Sequence, residues 1–267
     1  MQLNDARVLL TGACGGIGRE IAALLAGAGA HVALAGRDEP VLQELCSKIR
    51  GHGNAASVIT ADLAQPAGPE LIAQEALTAL GGIDVLINNA GILDFRAFAE
   101  QSPGQIERLY RINLTGPVLL TRAVLPHMLR KGSGHIVNIG STFGSIAFAY
   151  FAAYSSSKFA MRGFSEALRR ELDDTGIHVT YVAPRATQTR LNSAAVYRMN
   201  QALGVGMDTP RNVAARIVRA IECNACDVYV GWPERLFVRI NAVLPRLVDR
   251  VMRKQHGQMA NFAAQVK

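Results

Sequence analysis

The sequence predicts an α/β fold, a parallel sheet with helices on both of its faces. Three observations carry that reading. Short β-branched runs alternate with amphipathic stretches along the chain. The runs are nearly continuous in apolar residues, as strands buried on both faces must be. No Pro/Ser-rich linker and no internal repeat interrupts the series. Of the 267 residues, 49% are hydrophobic and 18% charged, which gives material for a sizeable core and excludes a disordered chain.

The elements follow in order. Val8–Thr11 reads as a strand that feeds a Gly-rich loop and a helical pattern over Gly18–Ala28. His31–Ala35, Ala56–Ile59 and Val85–Asn88 are the next strands, separated by helical patterns over Val41–Arg50 and Glu70–Leu80. One long helical stretch, Gly104–Lys131, leads to a strand at His135–Ile139. Ser155–Thr175 leads to His178–Val182, and Arg211–Cys223 to Val228–Val230. Strand–helix–strand alternation needs crossover connections, and these make neighbouring strands parallel. Arg185–Pro210 carries no strand signal and is expected to be a lid or a disordered loop.

Thr11-Gly12-Ala13-Cys14-Gly15-Gly16-Ile17-Gly18 joins the first strand to the first helix. Gly12 permits a tight turn, and Gly16 lets the backbone approach a pyrophosphate. Gly18 lets the helix sit close to the strand, with its N-terminal amides facing the phosphates. The spacing TGxxxGxG differs from GxGxxG, and a Gly-rich loop in isolation is merely a turn; its place at the head of a βαβ series points to a dinucleotide. The second strand runs out at Ala35-Gly36-Arg37-Asp38. An acid there meets a ribose 2′-hydroxyl, an arginine a 2′-phosphate. Gly36 holds the acid's place and Arg37 follows, which favours NADP(H), although Asp38 would repel a phosphate. Asp62-Leu63 closes the third strand, where a carboxylate can hydrogen-bond an adenine amino group. Asn88-Asn89-Ala90-Gly91 ends the fourth with small residues that leave room for a ribose.

Tyr154 and Lys158 stand four apart at the start of a helical pattern, so both can point into one cleft. A free tyrosine titrates near pH ~10 and is a poor base; a nearby lysine cation and an oxidised nicotinamide favour its phenolate. Tyr154 then becomes a general acid/base at a carbonyl or alcohol oxygen. Ser141, past the fifth strand, would hydrogen-bond the same oxygen. Asn113, within the long helical stretch, would hold a water that relays protons to Lys158. In isolation a YxxxK pair is most often a surface aromatic beside a solvated lysine; here its company gives it meaning.

Taken together, Thr11-Gly12-x-x-x-Gly16-x-Gly18, Asp62, Asn88-Asn89-Ala90-Gly91, Asn113, Ser141, Tyr154 and Lys158 resemble the motif set of the short-chain dehydrogenase/reductase family, in its order and spacing, over residues 5–231. The resemblance implies a Rossmann-type doubly wound sheet of about seven strands. It implies hydride transfer between a nicotinamide and a carbonyl or alcohol carbon, with Asn113, Ser141, Tyr154 and Lys158 as catalytic tetrad. It implies a homodimer or homotetramer, joined through the helices placed at 104–131 and 155–175. Residues 1–232 then form the dinucleotide-binding and catalytic domain, and 233–267 its C-terminal helical extension. Cofactor contacts are expected from Thr11, Gly12, Cys14, Gly15, Gly16, Ile17 and Gly18, from Arg37, Asp62, Leu63, Asn89, Ala90 and Gly91, and from Tyr154, Lys158, Pro184, Thr187 and Thr189. One departure stands out. The family reads Pro-Gly-x-Val/Ile-x-Thr after the sixth strand, and this chain reads Pro184-Arg185-Ala186-Thr187-Gln188-Thr189. Arg185 replaces the glycine and sets a bulky cation near the substrate mouth.

Apolar residues dominate around the catalytic positions: Ile92, Leu93, Phe95, Phe143, Ile146, Phe148, Tyr150 and Phe151. Phe143, Tyr150 and Phe151 are expected to line a site for a lipophilic ketone or alcohol, with Arg185 and Arg190 meeting an anionic end group. The aromatics packing on one another or on a partner subunit is the alternative. Residues 234–254 add an amphipathic pattern rich in arginine, broken at Pro245. It packs on the domain or a subunit, or it lies on an anionic membrane or caps a greasy substrate. The tail Gln255–Lys267 has no strong pattern and is expected to fray.

The net charge of +7 comes without a basic block interleaved with aromatics, so a nucleic-acid partner is not expected. The four cysteines include one CxxC, Cys223 and Cys226, without the second pair a structural zinc needs; no metal is expected, and the thiols read as free in a reducing cytoplasm. No secretory signal and no spanning apolar stretch is visible, which again points to the cytoplasm, with membrane association at the C-terminus as an addition. The alternative function on the same fold is a non-enzymatic NADP(H)-binding sensor or scaffold.

Overall fold

The structure, a computed structural model, describes residues 1–265. Seven strands form one sheet: β1 (Arg7–Thr11), β2 (His31–Gly36), β3 (Ala56–Thr60), β4 (Val85–Asn88), β5 (Gly134–Ile139), β6 (Ile177–Ala183) and β7 (Asp227–Tyr229). Their order is β3-β2-β1-β4-β5-β6-β7, and every neighbouring pair is parallel. The order reverses between β1 and β4, which leaves a crevice at their carboxyl ends. This is the Rossmann-like architecture that the alternation predicts.

Alternation along each strand explains the two-sided core. Val8 and Leu10 face one side with Val32, Leu34, Val85 and Ile87, where α1 (Gly16–Gly27), α2 (Glu39–Gly51) and α8 (Pro210–Glu222) cover them. Leu9 faces the other with Ala33, Leu86 and Ile136, under α3 (Gly68–Leu80), α5 (Gly116–Lys131) and α6 (Ala152–Glu171). Side-chain caps fix several helix starts: Asp38 accepts from the Val41 amide, and Thr209 accepts from Asn212 just before Pro210.

Three expectations need correction. The stretch 104–131 is not one helix. It is α4 (Pro103–Tyr110), started by a Ser102/Gln105 capping box, then a π-helical turn over Arg111–Thr115, then α5. The segment 185–210 is not a disordered loop, because Ser193 caps a helix, α7 (Ala194–Ala202), that buries Val196 and Met199; the lid alternative is untouched by this. The tail does not fray from residue 255. α9 (Glu234–Val243) ends before Pro245, and α10 (Pro245–Ala263) continues through it, with Met259 and Ala263 buried against α7 and its neighbours. Val266 and Lys267, the end of the tail expected to fray, lie outside the described residues. No helix among the described residues is long and apolar enough to cross a membrane.

Candidate active site

One cleft, with a cavity of about 1310 Å³, runs along the carboxyl edge of the sheet. Its first half is built on the β1–α1 loop. Gly12 has φ +66, and a Cβ there would lie 2.8 Å from the Ala90 Cα; a Cβ on Gly18 would lie 2.2 Å from the Gly12 carbonyl oxygen. Both positions therefore need glycine. Asn89 locks the loop by donating its side-chain amide to the Thr11 and Gly12 carbonyls at 3.0 and 3.1 Å. Thr11 accepts from the Asn89 and Ala90 amides in return. The N-terminus of α1 carries no side-chain cap and no acid in its first turn, so its amides face the cleft without an internal anion. Gly16 lies against Thr189, which brings the loop after β6 over the loop after β1.

At the outer end of this half, Arg37 Nη1 is 3.9 Å from Asp62 Oδ2, and Arg37 is half exposed. The Asp38 carboxylate caps α2, so one of its oxygens is occupied by the Val41 amide at 3.3 Å. Leu63, Ala90, Gly91, Pro184 and Thr187 line the same cleft, as do Cys14, Gly15 and Ile17. An uncapped helix start, a bare glycine cradle and a cation at the far lip together fit a nicotinamide dinucleotide.

At the inner end, Ser141, Tyr154 and Lys158 meet. All three are buried. Burial pushes Tyr154 up to about 12, against a hydrogen bond with Ser141 that pulls it down. Burial lowers Lys158 to about 8. Desolvation thus outweighs the Ser141 hydrogen bond at Tyr154. The Lys158 Nζ donates to the Ile139 carbonyl at 2.9 Å and lies 5.8 Å from the Tyr154 ring centre. Asn113 sits behind the cleft wall, in the π-helical turn. Its side chain accepts from the Ile92 amide at 2.8 Å and donates to the Ile92 carbonyl and to Ser157 Oγ at 2.9 and 3.2 Å. The sequence marks Ile92 only as an apolar wall, and it gives no sign that the Ile92 and Ile139 backbones, Ser157 and Tyr181 hold these side chains. Tyr181 supports the turn at Ser141 by donating to its carbonyl at 3.2 Å. Ile139 and Tyr181 come from β5 and β6 and Ile92 from the loop after β4, whereas Ser157 stands beside Lys158 on α6.

The second half of the cleft is apolar. Phe143 and Phe151 line it with Ile92, Leu93, Ile146 and Phe148, and α7, α9 and α10 roof it with Val196, Met199, Phe237, Val248 and Met259. Tyr150, expected in the lining, is not among the residues that line the cleft; its backbone has φ +67 and its ring stacks on His256 at 5.5 Å. Arg185 is at the cleft, but its guanidinium is engaged within the chain. It forks onto Asp208 with two contacts of 3.0 Å and reaches Glu234 at 3.2 Å and the Trp232 carbonyl at 3.2 Å. Arg190, also at the cleft, is exposed and makes no ion pair among the described residues. No group of three or more metal-ligating side chains occurs among the described residues.

The family model for short chain dehydrogenase matches residues 6–199. The chain belongs to the short-chain dehydrogenase/reductase family. Family members are oxidoreductases that work with a nicotinamide cofactor. Among curated relatives, the dehydrogenase/reductase SDR family member 7B of Bos taurus is 36% identical over 94% of this chain and 81% of its own. The ketoacyl reductase HetN of a Nostoc strain is 34% identical over 94% and 89%. A solved short-chain dehydrogenase from Streptomyces avermitilis superposes with TM-score 0.79 at 31% identity, covering 93% of this chain and 98% of that one. A Burkholderia phymatum family structure in complex with NAD reaches 0.85 at 23% identity over 92% and 96%, a likeness of fold.

Proposed function

We propose that this protein is an NADP(H)-dependent oxidoreductase that interconverts a hydrophobic ketone and its secondary alcohol, with Tyr154 as general acid/base. The observation that carries the reading is the joint burial of Tyr154 and Lys158 beside Ser141, where the glycine-lined and apolar halves of the cleft meet. When bound, the dinucleotide supplies a hydride to the carbonyl carbon or takes it from the alcohol carbon. Tyr154, raised to about 12, keeps its proton at neutral pH and delivers it to the substrate oxygen during reduction. The Ser141 hydroxyl holds the same oxygen, and the Lys158 ammonium stabilises the phenolate left behind. Asn113 fixes the Ile92 backbone, and with it one edge of the site.

Arg37 at the outer lip supports NADP(H) over NAD(H), and the capping role of Asp38 eases its repulsion of a 2′-phosphate. The apolar second half supports a substrate with an extended hydrocarbon part, and the relative named a ketoacyl reductase supports the same class. An anionic end group would find Arg190 at the mouth. Exposed Leu119 and Leu129 on α5 and Phe159 on α6 support a homodimer or homotetramer joined through these helices.

The test is NADPH oxidation with methyl ketones of increasing chain length, in wild type and Tyr154→Phe. Each buried methylene is worth about 0.8 kcal/mol, so kcat/KM should climb up to about fourfold per carbon before levelling. Tyr154→Phe should lose ~10²–10⁴-fold in turnover while still binding NADPH. A flat series removes the lipophilic substrate, and a Phe variant within a few-fold of wild type removes the role of Tyr154.

A further inference from the structure

We propose that the α9–α10 hairpin docks on an anionic lipid bilayer, and that the mouth of the cleft opens onto that bilayer. The second clause rests on the lipophilic substrate proposed above; the first stands without it.

The hairpin carries two apolar faces. One turns inward and is buried, through Val238, Val248 and Met259. The other faces solvent. Leu247 and Val251 are 51% and 52% exposed, Val243 and Leu244 at the turn 77% and 55%, and Trp232 just before α9 72%. Exposed apolar residues scattered singly need no explanation, but a run along two helices and their turn marks a contact surface. Phe237, Leu247 and Val251 are exposed and also line the cleft, so an apolar surface continues from the outside to the interior.

Charge identifies the occupant. Arg246, Arg250 and Lys254 recur at four-residue spacing on α10, on the stripe that adjoins Leu247 and Val251. Arg235 and Arg239 do the same on α9, beside Leu236 and Val243. These five and Arg253 are all exposed, and among the described residues none makes an ion pair or a side-chain hydrogen bond. The nearby acids do not offset them. Glu234 is held by Arg185, and Asp249, within one turn of Arg246 and Arg253, pairs with neither among the described residues and leaves the cations in excess. Apolar side chains bordered by unpaired cations match an anionic interface, in which the former insert and the latter meet head groups. A second copy of the chain, brought face to face by a twofold axis, would set the same cations against each other. A nucleic acid would use the arginines and leave the leucines wet.

Co-sedimentation tests this. The full chain is mixed with vesicles of phosphatidylcholine alone, or of phosphatidylcholine with phosphatidylglycerol. Partition onto the anionic vesicles should be at least tenfold stronger, and should fall as salt is raised. Charge reversal by Arg246→Glu, Arg250→Glu and Lys254→Glu together should lose that preference. Leu236→Ser with Val243→Ser should weaken binding severalfold. None of these five residues lines the cleft, so turnover of a short, water-soluble ketone should be unchanged. Equal partition onto both vesicles, or a charge-reversed protein that binds as wild type does, overturns the proposal. So does a lower solution mass for the serine variant by light scattering, which would show that a second copy covers the face. Failure of the enzymatic reading would appear separately, as absent NADPH-dependent turnover in solution with vesicle binding intact.

Discussion

Arg185→Ala removes one cation from between two carboxylates, and the structure sets the size of the effect. The guanidinium forks onto Asp208 with two contacts of 3.0 Å and touches Glu234 at 3.2 Å, and the three side chains are only 20%, 17% and 24% exposed. A hydrogen bond to a charged group is worth about 1.5–3 kcal/mol net, and stripping one partner from a fully buried pair costs about 3–5 kcal/mol. With about a fifth of each group still wet, a loss of ~2–3 kcal/mol is expected. For a chain of this size that corresponds to a fall in Tm of roughly 4–10 °C. Calorimetry or urea unfolding reads it directly. Arg185→Lys should recover less than half, because an ammonium cannot reproduce the fork. The clamp ties the exit of β6 to the start of α9, so a loosened roof should also raise KM for long substrates more than it lowers kcat. A stability change below about 0.5 kcal/mol would refute the reasoning, since it would mean that the carboxylates are already satisfied by water.

Two further outcomes concern the cofactor half and the catalytic pair. Arg37→Ala should raise KM for NADPH by about 5–30-fold, the ~1–2 kcal/mol of a half-exposed charge-assisted contact, and KM for NADH by less than about twofold. Equal increases for both cofactors in initial-rate assays would remove that role. Lys158 is lowered by burial to about 8 from 10.5, so in the folded protein its ammonium is present below that pH and lost above it. Because the unfolded chain holds this proton to higher pH, burial of the cation opposes folding below pH 8, and the opposition fades toward pH 10.5. In kinetics, kcat/KM for NADPH, which reports the free protein, should fall as pH rises through about 8. Tyr154, at about 12, does not titrate in that range. A flat profile between about pH 7 and 10 would contradict the assignment.

What was legible in the sequence was local. The strands and most helices lie within a few residues of their expected places, because a buried parallel strand and an amphipathic helix each write their period into consecutive residues. The misses have non-local causes. The π-helical turn at Arg111–Thr115 is stabilised by contacts of Asn113 with Ile92 and Ser157, which lie 21 and 44 residues away. α7 is short, with a weak apolar face, and much of its burial comes from α10, as that of α10 does from α7. Tyr150, which does not line the cleft, has a left-handed backbone conformation that no side-chain pattern announces. The partners of Arg185 are 23 and 49 residues distant, so a reading of neighbours shows a free cation where the fold makes a clamp. Within the cleft, the glycine loop, Asn89 and the Ser141, Tyr154 and Lys158 cluster were nameable because their spacing is fixed by single strand–helix junctions.

The turn between α4 and α5 also constrains how this chain can change. A wider turn holds one residue more than an α-helix needs, so the buried faces on either side of it are out of phase by about 100°. Deleting one residue there would restore a regular helix and would be locally favourable. Yet it would rotate either Asn113 away from the Ile92 backbone or Leu120, Val124 and Met128 away from the sheet. Substitutions in this stretch are therefore tolerable where insertions and deletions are not, and relatives that differ in length should place their gaps elsewhere.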